Sequence, residues 1–356
     1  KNKKSITKNL YKNKEKLKAL FKFVQKRMNW NGKYGKYDKK GVDVAYQEKT
    51  GNIAEINLML TSILRMAGLK ANPVLMSTRE NGIAFFPNKT LFNYVICAVK
   101  LNGETILLDA TEKYTDINLL PIRALNWSGR SIETDNAGEE INLMPQKNSI
   151  DIVNLMVEME ATGEVKGKVR EQYFDYNALL FRSRYGNVSA ASRIEIIEKE
   201  HTGLEVSEFE MLNSTDVTKP IIENYSFTTN NEVEIIGDKM YFSPLLFFAT
   251  TENPFKQENR LYPVDFVFPH QEKFNVTINL PLDYSIESVP ASISTALPDN
   301  LGSFKFSILE NNTQIQLLCT LEFNESLISA EYYQALKLFF KQIVDKQTEK
   351  IVLKKR

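Results

Sequence analysis

The chain offers few side chains that could do demanding chemistry. Among 356 residues there are two cysteines, Cys97 and Cys319, and two histidines, His201 and His270. There is no CxxC, no histidine pair at metal-ligand spacing and no Gly-rich phosphate loop, so no metal, nucleotide or other cofactor is expected. Both cysteines stand in apolar, strand-like runs and read as buried thiols. The remaining pair with chemical potential is Tyr94 and Asp109. A phenol beside a carboxylate can act as an acid or base, yet no nucleophile is evident next to them. The alternative is that the ring fills space and its hydroxyl bonds Asp109 in a packed interior.

A hairpin must bring these two together. Asn102-Gly103 between two apolar runs is the signal for a two-residue type I′ turn. That turn sets Leu101 opposite Glu104, Val99 opposite Ile106, Ile96 opposite Asp109 and Tyr94 opposite Thr111. Alternation then places Tyr94, Ile96, Leu107, Asp109 and Thr111 on one face and turns Cys97 to the other. A helix precedes the hairpin: Asn52 is its N-cap, Ile53 its first residue and Gly68 its stop. A cysteine at position 53 would have its thiolate favoured by the helix N-terminus; a hydrocarbon there cannot use that field. Glu55 and Asn57 follow on this helix, with Glu55 read as solvated. A short strand is expected at Ala71–Ser77 and a loop at Thr78–Lys89.

The motifs Gly51-Asn-Ile-Ala-Glu55, Leu64-x-x-Ala-Gly-Leu-Lys-Ala71, Phe92-Asn-Tyr-Val95 and Leu107-Leu-Asp-Ala-Thr111 resemble the transglutaminase-like superfamily over about residues 1–125. The resemblance implies a papain-like site in which Cys attacks an acyl carbon, His is its base and Asp orients the His. In active members the Cys stands where this chain has Ile53, and the His where it has Tyr94; only Asp109 is retained. The resemblance therefore implies a pseudoenzyme with no catalytic residues of its own. If a binding cleft is kept, Asn52, Tyr94 and Asp109 are its candidate polar contacts. Trp30, with Tyr34 and Tyr37 in the Gly- and Lys-rich loop 29–41, is a candidate aromatic wall; the competing reading has Trp30 covering the core and the tyrosines at the surface.

Charge is unevenly spread. Residues 1–50 hold 16 Lys and Arg against 4 Asp and Glu, a net +12, whereas the other 306 residues net −11. Leu17, Leu20, Phe21, Val24 and Met28 recur at helical spacing within this block. It reads as an amphipathic helix with a solvated basic face, or as a face for an anionic partner such as a glycan or lipid surface. Nucleic acid is not the expected partner, and no apolar run is long enough to span a membrane.

Beyond residue 145 the pattern turns to strands: an antiparallel block at 150–243 with inserted helices at Tyr173–Tyr185 and Ala190–His201, then a sandwich-like block at 244–356 ending in a helix around Tyr332–Ile343. Asn253-Pro-Phe255 and Arg260-Leu-Tyr-Pro-Val-Asp-Phe266 resemble the β-domain of unknown function that trails transglutaminase-like domains in Bacteroidetes envelope proteins. The expected architecture is α+β: a degenerate transglutaminase-like domain at 1–125, a linker at 126–149, and antiparallel β-rich domains at 150–243 and 244–356. The expected role is a non-catalytic binding or scaffold module of the cell envelope, meeting a peptide, a glycan or an envelope protein. Two other readings are a purely structural core and a repurposed acyl transferase or peptidase. The resemblance, together with a start at Lys1 and no leader pattern, leads to the expectation of a fragment of an exported, periplasmic protein.

Overall fold

A computed structural model describes residues 2–84, 90–133 and 138–356, with side chains from residue 12 onward. Two units divide the chain, Lys1–Pro145 and Gln146–Arg356.

In the first unit, α1 (Asn2–Arg27), β1 (Asn29–Trp30), α2 (Val42–Glu48), β2 (Thr50–Gly51) and α3 (Ile53–Met66) precede the strands β3 (Lys70–Met76), β4 (Tyr94–Leu101) and β5 (Glu104–Leu108). Two more strands, β6 (Ser128–Ser131) and β7 (Glu140–Asn142), complete a sheet of order β5-β4-β3-β6-β7. Stretch 126–149 is therefore not a linker: β6 pairs with β3 and β7 with β6, and both extend this sheet. Asn102 and Gly103 both take positive φ, as a type I′ turn requires, and Leu101↔Glu104, Val99↔Ile106 and Cys97↔Leu108 pair in the expected register. The ladder ends there, so Asp109 lies just past the strand. Thr78–Lys89 is not all loop, since Arg79–Asn81 form one 3₁₀ turn; residues 85–89 lie outside the described residues.

The apolar stripe of α1 does what its spacing indicates. Leu17, Phe21, Val24 and Met28 are buried with Ile56, Leu60 and Leu64 of α3 and with Cys97, Val99 and Leu108 of the hairpin. Of the lysines expected to face away, Lys18 and Lys26 point to solvent, with Lys12, Lys14 and Phe23. Lys16 and Lys22 are instead half-buried, with their Nζ on Ala67 O and Thr115 O.

In the second unit, β8 (Ser149–Met159), β9 (Val165–Tyr173), α4 (Asp175–Tyr185), α5 (Ala190–Glu200), β10 (Leu204–Leu212) and β11 (Ile221–Thr229) come first. They are followed by β12 (Val233–Ile236), β13 (Lys239–Phe242), β14 (Val264–Asp265), β15 (His270–Asn279), β16 (Tyr284–Ser288), β17 (Ile293–Ala296), β18 (Gly302–Asn311) and β19 (Gln314–Phe323). β20 (Leu327–Ile328), α6 (Tyr333–Thr348) and β21 (Ile351–Lys355) close the chain. The expected boundary at 243/244 is not a domain boundary. β8 pairs parallel with β15, so strands from both sides of it form one eight-stranded sheet of order β10-β11-β9-β8-β15-β19-β18-β17. A four-stranded sheet of order β12-β13-β21-β16 shares its core, through Met240, Phe242, Tyr284, Ile351 and Leu353, with Val157, Ile278, Phe304 and Leu336. Two sheets around one core give the unit its sandwich character. Local periodicity could not show that seam, because β8 and β15 are more than a hundred residues apart.

Candidate functional site

The site is assembled by the N-terminus of α3, the β4–β5 hairpin and one 3₁₀ turn. Asn52 caps α3 with a full capping box: its Oδ1 accepts from Glu55 N–H at 2.8 Å, and Glu55 Oε2 accepts from Asn52 N–H at 2.8 Å. Such a box satisfies donors that a helix start otherwise leaves open. The loop ahead of it supplies more partners. Ile53 N–H donates to Lys33 O, Asn52 Nδ2 to Tyr37 O, and the N–H groups of Lys39 and Lys40 to Glu55 Oε1. Glu55 is thus buried and not solvated as its helix position suggested. Burial alone would raise its pKa, but the N–H groups of Lys40, Asn52 and Lys39 outweigh burial and hold it below the ordinary value.

Ile53, Tyr94 and Asp109 are all fully buried. Tyr94 Oη donates to Asp109 Oδ2 at 2.7 Å. Asp109 Oδ1 accepts from Asn57 Nδ2 at 3.0 Å, from Thr111 N–H at 2.9 Å and from Thr111 Oγ1 at 2.6 Å. Asn57 also reaches Val95 O with its Nδ2 and accepts from Ala110 N–H, tying α3 to both hairpin strands. The carboxylate accepts four donors, three on Oδ1 and one on Oδ2.

Arg123 closes the arrangement from the turn Ile122–Ala124. Its Nε donates to Tyr94 Oη at 3.0 Å and its Nη2 to Thr111 Oγ1 at 2.8 Å, while Nη1 meets Glu112 Oε2 at 3.4 Å. The guanidinium lies 4.3 Å from the Trp30 ring centroid, a stacked cation–π contact. Trp30 in turn stands 5.5 Å from Tyr34, and Tyr34 6.0 Å from Tyr94. Tyr34 and Tyr37 are both exposed, Tyr34 less so than Tyr37, and Trp30 packs against the core, as the competing reading has it.

Protons in this network run one way. Arg123 can only donate, so both hydroxyls accept from it and give their own hydrogens to Asp109. Burial, reinforced by the Asp109 charge, pushes the Tyr94 phenol well above its usual range, so it is not a base near neutrality. Cys97 lies on the opposite face in the apolar core, and burial pushes its thiol up to about 12. Residue spacing brought Tyr94 and Asp109 together; it missed Arg123, which no local period connects to the hairpin. Asn57 had a signal, since it lies one turn after Ile53 on the same helix face.

A helix N-terminus set against a hairpin that carries an aspartate is the arrangement of papain-like enzymes and their relatives. The transglutaminase-like superfamily model matches residues 2–104, and the first unit carries a transglutaminase-like domain. Residues 238–353 match DUF3858, a domain of unknown function with a solved structure. No curated protein matches the chain. A solved structure from Parabacteroides distasonis, described as a "putative protease", aligns over 96% of this chain with a TM-score of 0.52 at 9% identity. This chain spans 52% of the length of that one, and the likeness is one of fold.

Proposed function

We propose that the chain is a non-catalytic, transglutaminase-like scaffold module of the cell envelope. One observation supports this reading: Ile53 and Tyr94, which the resemblance sets at the nucleophile and base positions, are a hydrocarbon and a phenol, and the polar groups around them bond one another. Catalysis by an acyl-transfer route needs an activated nucleophile within hydrogen-bond reach of a base. Here the reachable hydroxyls are Tyr94 and Thr111, and both already give their protons to Asp109. A closed network also favours a structural role of this site over ligand binding within it, because Asn52, Tyr94 and Asp109 spend their polar atoms inside the domain. The envelope location rests on the family resemblance; among the described residues, no helix is long and apolar enough to cross a membrane. A thermal-shift screen against envelope peptides, muropeptides and glycans tests the scaffold reading. It predicts no midpoint shift traceable to the site. A ligand that raises the midpoint of the native chain but not of Trp30→Ala would favour a binding cleft instead.

The solvent-facing Lys12, Lys14, Lys18 and Lys26, beside the exposed Phe23, favour an anionic partner for α1 as a second reading. Retention on heparin that falls steeply with salt supports it; no retention at low salt rules it out.

A further inference from the structure

The eight-stranded sheet of the second unit consists of two antiparallel halves, β10-β11-β9-β8 and β15-β19-β18-β17. They meet at one seam, the parallel ladder between β8 and β15. Across the inner face runs a row of carboxylates, one from each of four adjacent strands. Glu223 lies opposite Glu171, Tyr173 opposite Asp151, and Asp151 opposite Glu272. Residues two apart on a strand share a face, which keeps Glu171 and Tyr173 in the same row.

Two of the four are answered by donors. Arg193 of α5 grips Glu223 with Nε to Oε1 at 2.9 Å and Nη2 to Oε2 at 2.8 Å. Glu171 accepts the phenols of Tyr173 at 2.6 Å and Tyr225 at 3.2 Å. At the seam, Asn177 of α4 hydrogen-bonds the Asp151 side chain, and among the described residues no arginine or phenol does so. Asp151 Oδ1 is buried with no hydrogen-bond partner among the described residues. Arg193 is engaged with Glu223 and Glu200. The groups facing the pair are Asn177 of α4, Glu171 and Tyr173 of β9, and His270 and Glu272 of β15, with the Cys319 thiol of β19 behind Glu272. Asp175 at the start of α4 has Lys147 for its counter-charge. Direct cross-strand neighbours of like charge repel, and two half-buried carboxyls set side by side favour holding one proton between them.

We propose that Asp151 and Glu272 form a proton-operated latch on this seam: one shared proton keeps β8 and β15 closed, and its loss sets two negative charges across the ladder and loosens it. Burial, with the Glu272 charge adding to it, pushes Asp151 up to about 8; burial raises Glu272 too, with His270 opposing. A carboxyl raised in the folded state contributes stability that is full below its unfolded value, near 4, and is lost as pH rises through about 8. The seam is tight in mild acid and loose in mild alkali, the reverse of a carboxylate held by a cation.

Amide hydrogen exchange on the full chain between pH 5 and 9, corrected for intrinsic exchange, tests the latch. Opening the native seam releases one proton, so protection of β8 and β15 should fall about tenfold per pH unit up to about pH 8 and then level off. β3 and β4 of the first unit should show no such slope. Asp151→Asn should abolish the slope, and Glu272→Gln should do the same if the first variant does not fold. His270→Gln should leave it in place. A native chain without the slope, or a slope that survives in the folded carboxamide variant, would overturn the proposal.

Discussion

The Tyr94 hydroxyl stands 2.7 Å from Asp109 Oδ2 and gives its hydrogen to it, while Arg123 Nε donates to the same hydroxyl at 3.0 Å. A phenol placed between a guanidinium and a carboxylate joins them without exchanging charge. Tyr94→Phe would leave a buried carboxylate oxygen and a buried guanidinium N–H unpaired. We expect a loss of about 1–3 kcal/mol, read as a lower urea midpoint for the first unit with an unchanged slope.

Arg123→Met tests the other end of the network. The methionine keeps contact with Trp30 but removes the donors to Tyr94 and Thr111 and the ion pair with Glu112. Asp109 keeps all four of its donors, so the cost should be moderate, about 1.5–3 kcal/mol. Removing the positive charge from the face of Trp30 should also shift its fluorescence emission, a change that Tyr94→Phe does not produce.

Glu55→Gln should show a distinct pH signature. The carboxylate's pKa is lowered in the folded state, so its contribution is present above about 4.3 and is lost as pH falls through the folded value. The variant should be less stable than the native chain at pH 7 and converge with it in acid. Melting curves from pH 2 to 7 measure this; parallel curves would show that the N–H cluster at Lys39, Lys40 and Asn52 is not what holds Glu55.

Both thiols are buried, and burial pushes Cys97 and Cys319 each up to about 12. Neither should react with an aromatic disulfide reagent at pH 8 in the native chain, and both should react after denaturation. Rapid modification of Cys97 in the folded protein would place a usable thiol next to the hairpin.

Local signals were sufficient wherever the structure is locally determined. Asn52 and Gly68 bracket α3, and Asn102-Gly103 sets the register that delivers Tyr94 to Asp109. Reading fell short where partners come from afar. Glu55 looked solvated because the loop that covers it lies before the helix and carries no period. Arg123 was invisible for the same reason, since a 3₁₀ turn of three residues has no face to detect. The 126–149 stretch looked like a linker because its strands are only three or four residues long. The parallel β8–β15 pairing needs tertiary contact to be seen at all, whereas hairpin neighbours declare themselves by their turns.

An activity assay reads whether the network at Tyr94, Asp109 and Arg123, packed beside Ile53, is catalytically silent. The native chain and Asp109→Ala should be given glutamine-containing peptides with a labelled amine, and peptide and ester substrates, under identical conditions. We expect no turnover of any substrate above the level of Asp109→Ala, with the variant differing from the native chain in stability alone. Turnover by the native chain that disappears in a folded Asp109→Ala protein would contradict it.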